Sequence, residues 1–202
     1  MGSGYLLNPL MLLINTVFDL YIMLVLLRFM LQAFRADFYN QVSQFVVKAT
    51  TPPLKYLRRF IPSVGGHDTA AIVLAVMLIT LKLLLLESLG VPFTDIAGVA
   101  APITSVSILG LLVIAFAELL ALALNIFLFA VIIIVILSWV SPGAYNPITQ
   151  LIQSIANPVM GPIQRVMPNL GGLDLSPLVA TLAIMLAKMI IIPPIIYFAT
   201  LF

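Results

Sequence analysis

Asp19, Lys82, Glu118, Asn125 and Lys188 stand inside stretches made otherwise of apolar residues. An unpaired charge at the middle of a bilayer costs at least ~2.5 kcal/mol, so such groups either pair to fix helix register or line a polar path for a small ion or solute. At a rise of ~1.5 Å per residue from the apolar boundaries, Asp19 and Lys82 come to similar depth and can pair. Lys188 reaches a depth like that of Lys82, but in place of an aspartate it finds Asn125. Its nearest carboxylate is Glu118, two turns from Asn125 on the same helix face, which leaves a longer pairing to be bridged by water or by a neighbour from the first half of the chain. Asn15, one turn before Asp19, widens the polar stripe. Arg28 and Glu87 lie nearer the ends of their stretches, where long side chains are expected to reach water.

Catalytic chemistry finds little support. His67 is the only histidine, sits beside a Gly-Gly turn, and has Leu173 as its counterpart in a second copy of the same pattern. No cysteine is present, which excludes a thiol nucleophile, a thiolate metal site and any disulfide. No nucleophile elbow, zinc-protease motif or phosphate loop occurs, and one histidine cannot supply a haem with two axial ligands. No enzyme activity, metal or cofactor is therefore expected. The few cations are expected to face the membrane, so nucleic acid is not an expected partner.

The elements that must hold these residues are membrane helices. Hydrophobic residues make up 63% of the chain and charged residues 8%, against about a quarter charged in ordinary soluble domains. Four apolar stretches, roughly 6–33, 69–91, 107–140 and 175–202, each exceed the ~20 residues that cross ~30 Å of hydrocarbon. Runs such as Val131 to Leu137 are apolar on every side, unlike barrel strands, so the expected fold is an all-α membrane protein with four transmembrane helices. The first stretch carries Asp19 and lacks a preceding cation, and is expected to span the membrane uncleaved. Arg35, Lys48, Lys55, Arg58 and Arg59 lie between the first two spans and Arg165 between the last two, while the middle connection has Asp95 and no cation. The bias places both basic connections in the cytoplasm, with both termini and the connection from Pro92 to Pro102 outside.

The two basic connections are copies of each other. Tyr39/Tyr145, Asn40/Asn146, Gln44/Gln150, Pro52/Pro158, Arg59/Arg165, Pro62/Pro168, Gly65-Gly66/Gly171-Gly172 and Asp68/Asp174 coincide without a gap at an offset of 106 positions. The register continues to Lys82/Lys188 and Asp19/Asn125, so the duplicated unit is half the chain: a first repeat over 1–92, an external connection over 93–106 and a second repeat over 107–202. The repeats insert the same way round, as a parallel 2+2 arrangement. Each connection predicts a short amphipathic helix, started by Asn40 or Asn146 and broken at Thr51-Pro52 or Asn157-Pro158. Val42, Phe45, Val46 and Ala49, then Leu54, Leu57 and Ile61, form the inward side of the first; Ile148, Leu151, Ile152 and Ile155, then Val159, Ile163 and Val166, form that of the second. These segments are expected on the cytoplasmic bilayer face, the first drawn to anionic lipid, or else packed within the protein. Gly65, Gly66, Asp68 and Gly171, Gly172, Asp174 read as a turn followed by a helix cap. Ala71/Ala75, Ala117/Ala121, Ser176/Ala180 and Ala183/Ala187 have the spacing that lets helices, or two chains, approach closely.

These duplicated residues, from Tyr39-Asn40 through Thr51-Pro52-Pro53, Arg59, Pro62, Gly65-Gly66 and Asp68, and again from Asn146-Pro147 through Asn157-Pro158, Pro162, Arg165, Pro168, Gly171-Gly172 and Asp174-Leu175-Ser176-Pro177, resemble the YggT family of small bacterial inner-membrane proteins. The resemblance covers nearly the whole chain, and the family has relatives in plastids and among the YlmG proteins encoded near division genes. It implies links to osmotic or potassium-related growth, to division and nucleoid organisation and, in plastids, to cytochrome maturation, and it supplies no catalytic residues. The first copy departs from the fuller pattern at Thr51, His67 and Thr69-Ala70-Ala71, which argues against equal roles for the halves. The expected function is non-catalytic, organising or assisting other membrane machinery (assembly, division or envelope-stress support) through the cytoplasmic segments and Arg59 and Arg165. The alternative is a small ion or osmolyte path between the repeats. Expected partners are the bilayer, anionic lipid, other membrane proteins and a second copy of the chain.

Overall fold

The computed structural model describes residues 3–90, 93–96, 99–103, 107–140, 146–167 and 174–202. Among these, six helices carry the fold: α1 Ser3–Ala33, α2 Gln41–Leu57, α3 Thr69–Ser88, α4 Ile108–Val140, α5 Pro147–Val166 and α6 Ser176–Ala199. Four of them, Leu7–Ala33 within α1, α3, α4 and α6, are long and apolar enough to span a bilayer. They alternate in length, with 31 residues in α1 and 33 in α4 against 20 in α3 and 24 in α6. Between α3 and α4 the chain forms a small antiparallel ribbon, β1 Phe93–Ile96 with β2 Val99–Ile103, paired Ile96 to Val99 and Asp95 to Ala100. The sequence reading treats this stretch only as a connection. Phe93, Thr94 and Ile96 before Ala97-Gly98, and Val99 and Ile103 after it, were a weak signal, diluted by Ala100, Ala101 and Pro102.

Each half packs a long helix on a short one, α1 on α3 and α4 on α6, with the amphipathic helix of the half, α2 or α5, laid across them. The halves meet chiefly where α3 packs on α4, with smaller contacts of α1 on α4 and on α5. Small side chains line the packed sides of the short and long helices: Ala71 and Ala75 on α3, Ala117 and Ala121 on α4, and Ser176 and Ala180 on α6 are all buried. Ala183 is exposed and Ala187 half-buried, so among the described residues their side of α6 is not closed by a helix of the same chain, which leaves the approach of a second chain as the open half of the expectation.

The amphipathic helices are continuous where a break was expected. In α2 the helix runs through Pro52 and Pro53, and in α5 through Pro158 and Pro162. Proline removes a helix donor and strands a carbonyl one turn back; in α2 the carbonyl stranded by Pro53, that of Ala49, accepts from Tyr21 Oη of α1 at 3.3 Å. The inward face also differs. Ser43, Val46, Thr50 and Leu54 are buried, whereas Phe45 is exposed. Polar Ser43 and Thr50 turn inward because partners wait there, so the buried stripe of α2 is set by hydrogen bonds as much as by apolarity. In α5 the buried stripe is Leu151, Ile155, Ala156 and Met160, while Ile148 and Val166 are exposed.

Both helices start at an asparagine. Ser43 N–H donates to Asn40 Oδ1 at 2.7 Å, and Ile148 N–H to Asn146 Oδ1 at 3.0 Å. After α2, Gly65 and Gly66 take φ of +62° and +79°, and His67 N–H closes the turn on Val64 O at 3.0 Å. Positive φ at both central positions is what the Gly-Gly pair supplies. Gln32 Nε2 at the end of α1 donates to Gly66 O at 3.1 Å, tying the turn to the first span. Gly171 and Gly172 lie outside the described residues.

Candidate functional site

Lys82, projecting from α3, holds two carboxylates. Its Nζ donates to Asp19 Oδ1 of α1 at 2.9 Å and to Glu118 Oε2 of α4 at 2.8 Å. One ammonium thus joins three spans, two from the first half and one from the second. The Glu118 partner differs from the sequence reading, in which this carboxylate is the nearest to Lys188 and reaches it only over a longer distance, through water or a neighbour from the first half. Packing of α4 on α3 as well as on α6 turns Glu118 across the seam between the halves, where an ion pair with Lys82 is shorter than any reach to Lys188. Lys188 Nζ instead donates to Asn125 Oδ1 at 3.2 Å. The contacts Asp19–Lys82 and Asn125–Lys188 are the same contact in the two copies, one ionic and one with a neutral acceptor.

Exposure within the cluster is uneven. The Lys82 side chain is 8% exposed and that of Glu118 15%, but that of Asp19 is 56% exposed on the outer side of α1. Lys188 and Asn125 are half-buried. With all groups ionised the four charges cancel over the molecule, but not locally: the triad carries one excess negative charge and the Lys188 site one positive charge.

A second set of contacts holds the amphipathic helices. Arg28 was expected to reach water and does not: it is buried, and its Nη1 donates to Val47 O at 3.0 Å and to Thr50 Oγ1 and Thr51 Oγ1 at 2.9 Å each. The two hydroxyls in turn donate to Val46 O and Val47 O, so α2 offers the guanidinium a cluster of acceptors just before its prolines. A donor with a fixed planar fork suits such a cluster. The second copy has Ile134, Ala156 and Asn157 at the positions of Arg28, Thr50 and Thr51, and so lacks this attachment. In its place a cleft of about 450 Å³ runs along α5, lined by Ile134 and the polar side chains of Gln150, Gln153, Ser154, Asn157 and Gln164.

Asp68 and Asp174 play different parts, although one motif carries both. Asp68 is buried and makes no cap hydrogen bond to α3; its carboxylate pairs with the Arg58 guanidinium just past the end of α2. An arginine within reach competes successfully for the carboxylate against neutral backbone donors. Asp174 instead accepts from Ser176 N–H at 2.8 Å at the start of α6 and from Gln164 Nε2 at 3.3 Å. Gln164 is the repeat counterpart of Arg58, so the link from amphipathic helix to span is made twice with different chemistry. The nearby Ser176 hydroxyl, then the Ser176 N–H, and last Gln164 hold the Asp174 carboxyl below its ordinary range, against a smaller upward push from burial. Sequence reasoning missed Arg28 and Arg58; the Arg58/Gln164 alignment, ten residues before Asp68/Asp174, was the signal for the second.

The outer side of α2 and the turn after it carries exposed aromatic rings, Phe45, Tyr56 and Phe60, beside the exposed cations Lys48, Lys55 and Arg59. Arg165 on α5 is exposed as well. Neither Arg59 nor Arg165 makes an ion pair among the described residues. Rings beside cations on one helix face are the arrangement that binds at the headgroup level of a membrane or against the flank of another protein.

Comparison with known proteins agrees with this duplicated pattern. A sequence model of the CCB3/YggT family matches residues 7–89 and again 113–195. Over 179 residues the chain is 46% identical to an uncharacterized protein of Pseudomonas aeruginosa, covering 89% of this chain and 86% of the other. It is 43% identical over 185 residues to an uncharacterized protein encoded in the proC 3′ region of Vibrio alginolyticus, covering 90% and 92%. It is 35% identical over 182 residues to the uncharacterized protein YggT of Escherichia coli K12, covering 90% and 88%. No solved structure matches.

Proposed function

Since this chain belongs to the CCB3/YggT family and carries four helices of spanning length, we propose that it organises or assists other machinery in the bacterial inner membrane without catalysing a reaction. Its contact surface is the outer side of the amphipathic helices. The observation that carries this reading is the division of labour across α2. One side is fastened to α1 through Arg28 and to α3 through Arg58 and Asp68. The other leaves three aromatic rings and three cations uncommitted on the surface. A helix clamped on one side and furnished for contact on the other suits recognition of lipid headgroups and of neighbouring proteins. The proposal includes cytoplasmic amphipathic helices, both termini outside, and two repeats over 1–92 and 107–202.

The buried charges support the same reading. Lys82 is committed to two carboxylates at hydrogen-bond distance. An ammonium so held acts as a joint among three helices, and moving an ion past it would require breaking charge-assisted bonds in a low-dielectric interior.

The test is flux of potassium and small osmolytes through the purified protein in sealed liposomes, paired with cross-linking in cells from a photoreactive residue at Tyr56 or Phe60. The expected result is tight liposomes and a discrete set of membrane-protein adducts, which survive Lys188→Leu, the milder of the two lysine losses, and disappear with Arg59→Glu and Arg165→Glu. Flux that vanishes in the lysine variant would overturn the proposal and make the protein a transporter.

A further inference from the structure

The seam between the two halves is open-ended. In an assembly with a true two-fold axis, packing of α3 on α4 would require the matching packing of α6 on α1. No substantial packing of α6 on α1 occurs among the described residues: α1 packs on α3 with smaller contacts on α4 and α5, and α6 packs on α4 and α5. The halves therefore join head to tail, and each end of the molecule repeats a surface that the seam buries in the middle.

Residue pairs at the 106-position offset demonstrate this. Ile79 and Leu83 of α3 are each 2% exposed, and their counterparts on α6, Met185 and Met189, are 51% and 72% exposed. Both short helices pack on a long helix and an amphipathic helix of their own half, so the extra burial on α3 comes from α4. The other end behaves likewise. Leu119 of α4 is 5% exposed while Leu13 of α1 is 60% exposed, and buried Ile114 and Ala115 correspond to exposed Asn8 and Pro9. A cleft of about 980 Å³ opens on α6 where Pro177, Thr181 and Met185 stand; their counterparts on α3 are Ala71, Ala75 and Ile79, all buried.

Charge completes the match. The outer part of α1 presents exposed Asp19, from the triad with one excess negative charge, along with exposed Asn8 and half-buried Asn15. The exposed face of α6 carries Lys188, whose hydrogen-bond partner is the neutral Asn125. The contact of Lys82 with Glu118 fixes the register of the seam. Carried over by the same offset, it brings Lys188 level with Leu12 of a next copy, with Asn8 and Asn15 one turn to either side and Asp19 two turns along.

We propose that a second copy of this chain docks its α1 against α6 of the first, repeating between molecules the seam that joins the halves within one. A heterologous contact of this kind closes into a ring or extends as a row. The chain has no cysteine, so single cysteines report cleanly. Leu12→Cys and Met185→Cys, mixed in native membranes with a short bis-thiol cross-linker, are expected to give a covalent dimer, and the double variant a ladder or a closed set of higher species. Leu12→Glu, which restores at this position the counterpart of Glu118, is expected to raise at least twofold the fraction of a Met185→Cys with Leu13→Cys variant that cross-links between chains. Phe129→Cys, on an exposed part of α4, serves as the background pair. Cross-linking of Leu12→Cys only to itself would show a symmetric dimer and overturn the proposal. Monomers throughout, from variants that retain native helix content and elution volume, would overturn it too and leave this face to lipid.

Discussion

Two lysines at equivalent places in a repeat give an internal control for what a buried charge does. Lys82 neutralises two carboxylates, whereas Lys188 is satisfied by an amide. Removing Lys82 leaves two carboxylates without their cation, a loss on the order of 3–5 kcal/mol for buried pairs; the exposed side of Asp19 draws this toward the lower figure. Lys82→Met is therefore expected to destabilise the protein severely, while Lys188→Met costs less than half as much. Unfolding in mixed micelles of increasing SDS fraction checks the order, and equal losses would remove the triad from the account. The two aspartates of the turn motif form a second control. Because the folded Asp174 carboxyl sits below its ordinary value of 3.8, its contribution to the start of α6 is fully present above that value and is lost as pH falls through the lower, folded value. Amide exchange at Ser176 is expected to accelerate only in that acid window, and Asp174→Asn to abolish the pH dependence.

At the scale of elements, the fastening of α2 predicts a difference between the two amphipathic helices. Arg28→Met removes every donor that α1 offers to Val47, Thr50 and Thr51. It is expected to raise hydrogen exchange in α2 by one to two orders of magnitude, with α5 unchanged, since α5 has no such attachment. Arg35, just past the end of α1, takes φ of +52°, a conformation that glycine adopts without steric cost. Ala36 N–H closes the helix end on Leu31 O at 2.9 Å. Arg35→Gly is accordingly expected to stabilise the protein by about 0.5–1 kcal/mol in the same SDS titration. What could be read in advance follows from what each feature depends on. The spans depend on length and apolarity, and the repeat on residue identity, so both are visible in the chain. Asp19 and Lys82 are legible because their depths in two adjacent helices agree. The partner of Glu118, the burial of Arg28 and the inward turn of Ser43 and Thr50 depend on which helix stands beside which, and one-dimensional spacing does not contain that. The breaks expected at the prolines failed for the same reason: the acceptor stranded by Pro53 is rescued by a tyrosine that comes from another helix.

Across the whole molecule, duplication has yielded two halves alike in helix order and unlike in attachment: one with α2 bound by Arg28 and Asp68 in an ion pair with Arg58, the other with Ile134 in place of Arg28 and the amide of Gln164 in place of Arg58. The alternation of helix lengths reaches beyond the protein into its solvent. At ~1.5 Å per residue α4 is about 50 Å long and α3 about 30 Å, and they stand side by side. No single hydrocarbon thickness matches both, so α4 must tilt, or the lipid around it must stretch, and a membrane too thin even for α3 adds mismatch at every span. Vesicles with 20- or 22-carbon acyl chains are expected to hold the protein more stably than those with 14-carbon chains. A row of such molecules would present the bilayer with alternating long and short walls, a pattern able to gather thick lipid around itself and to sort the protein toward membrane regions already made that way.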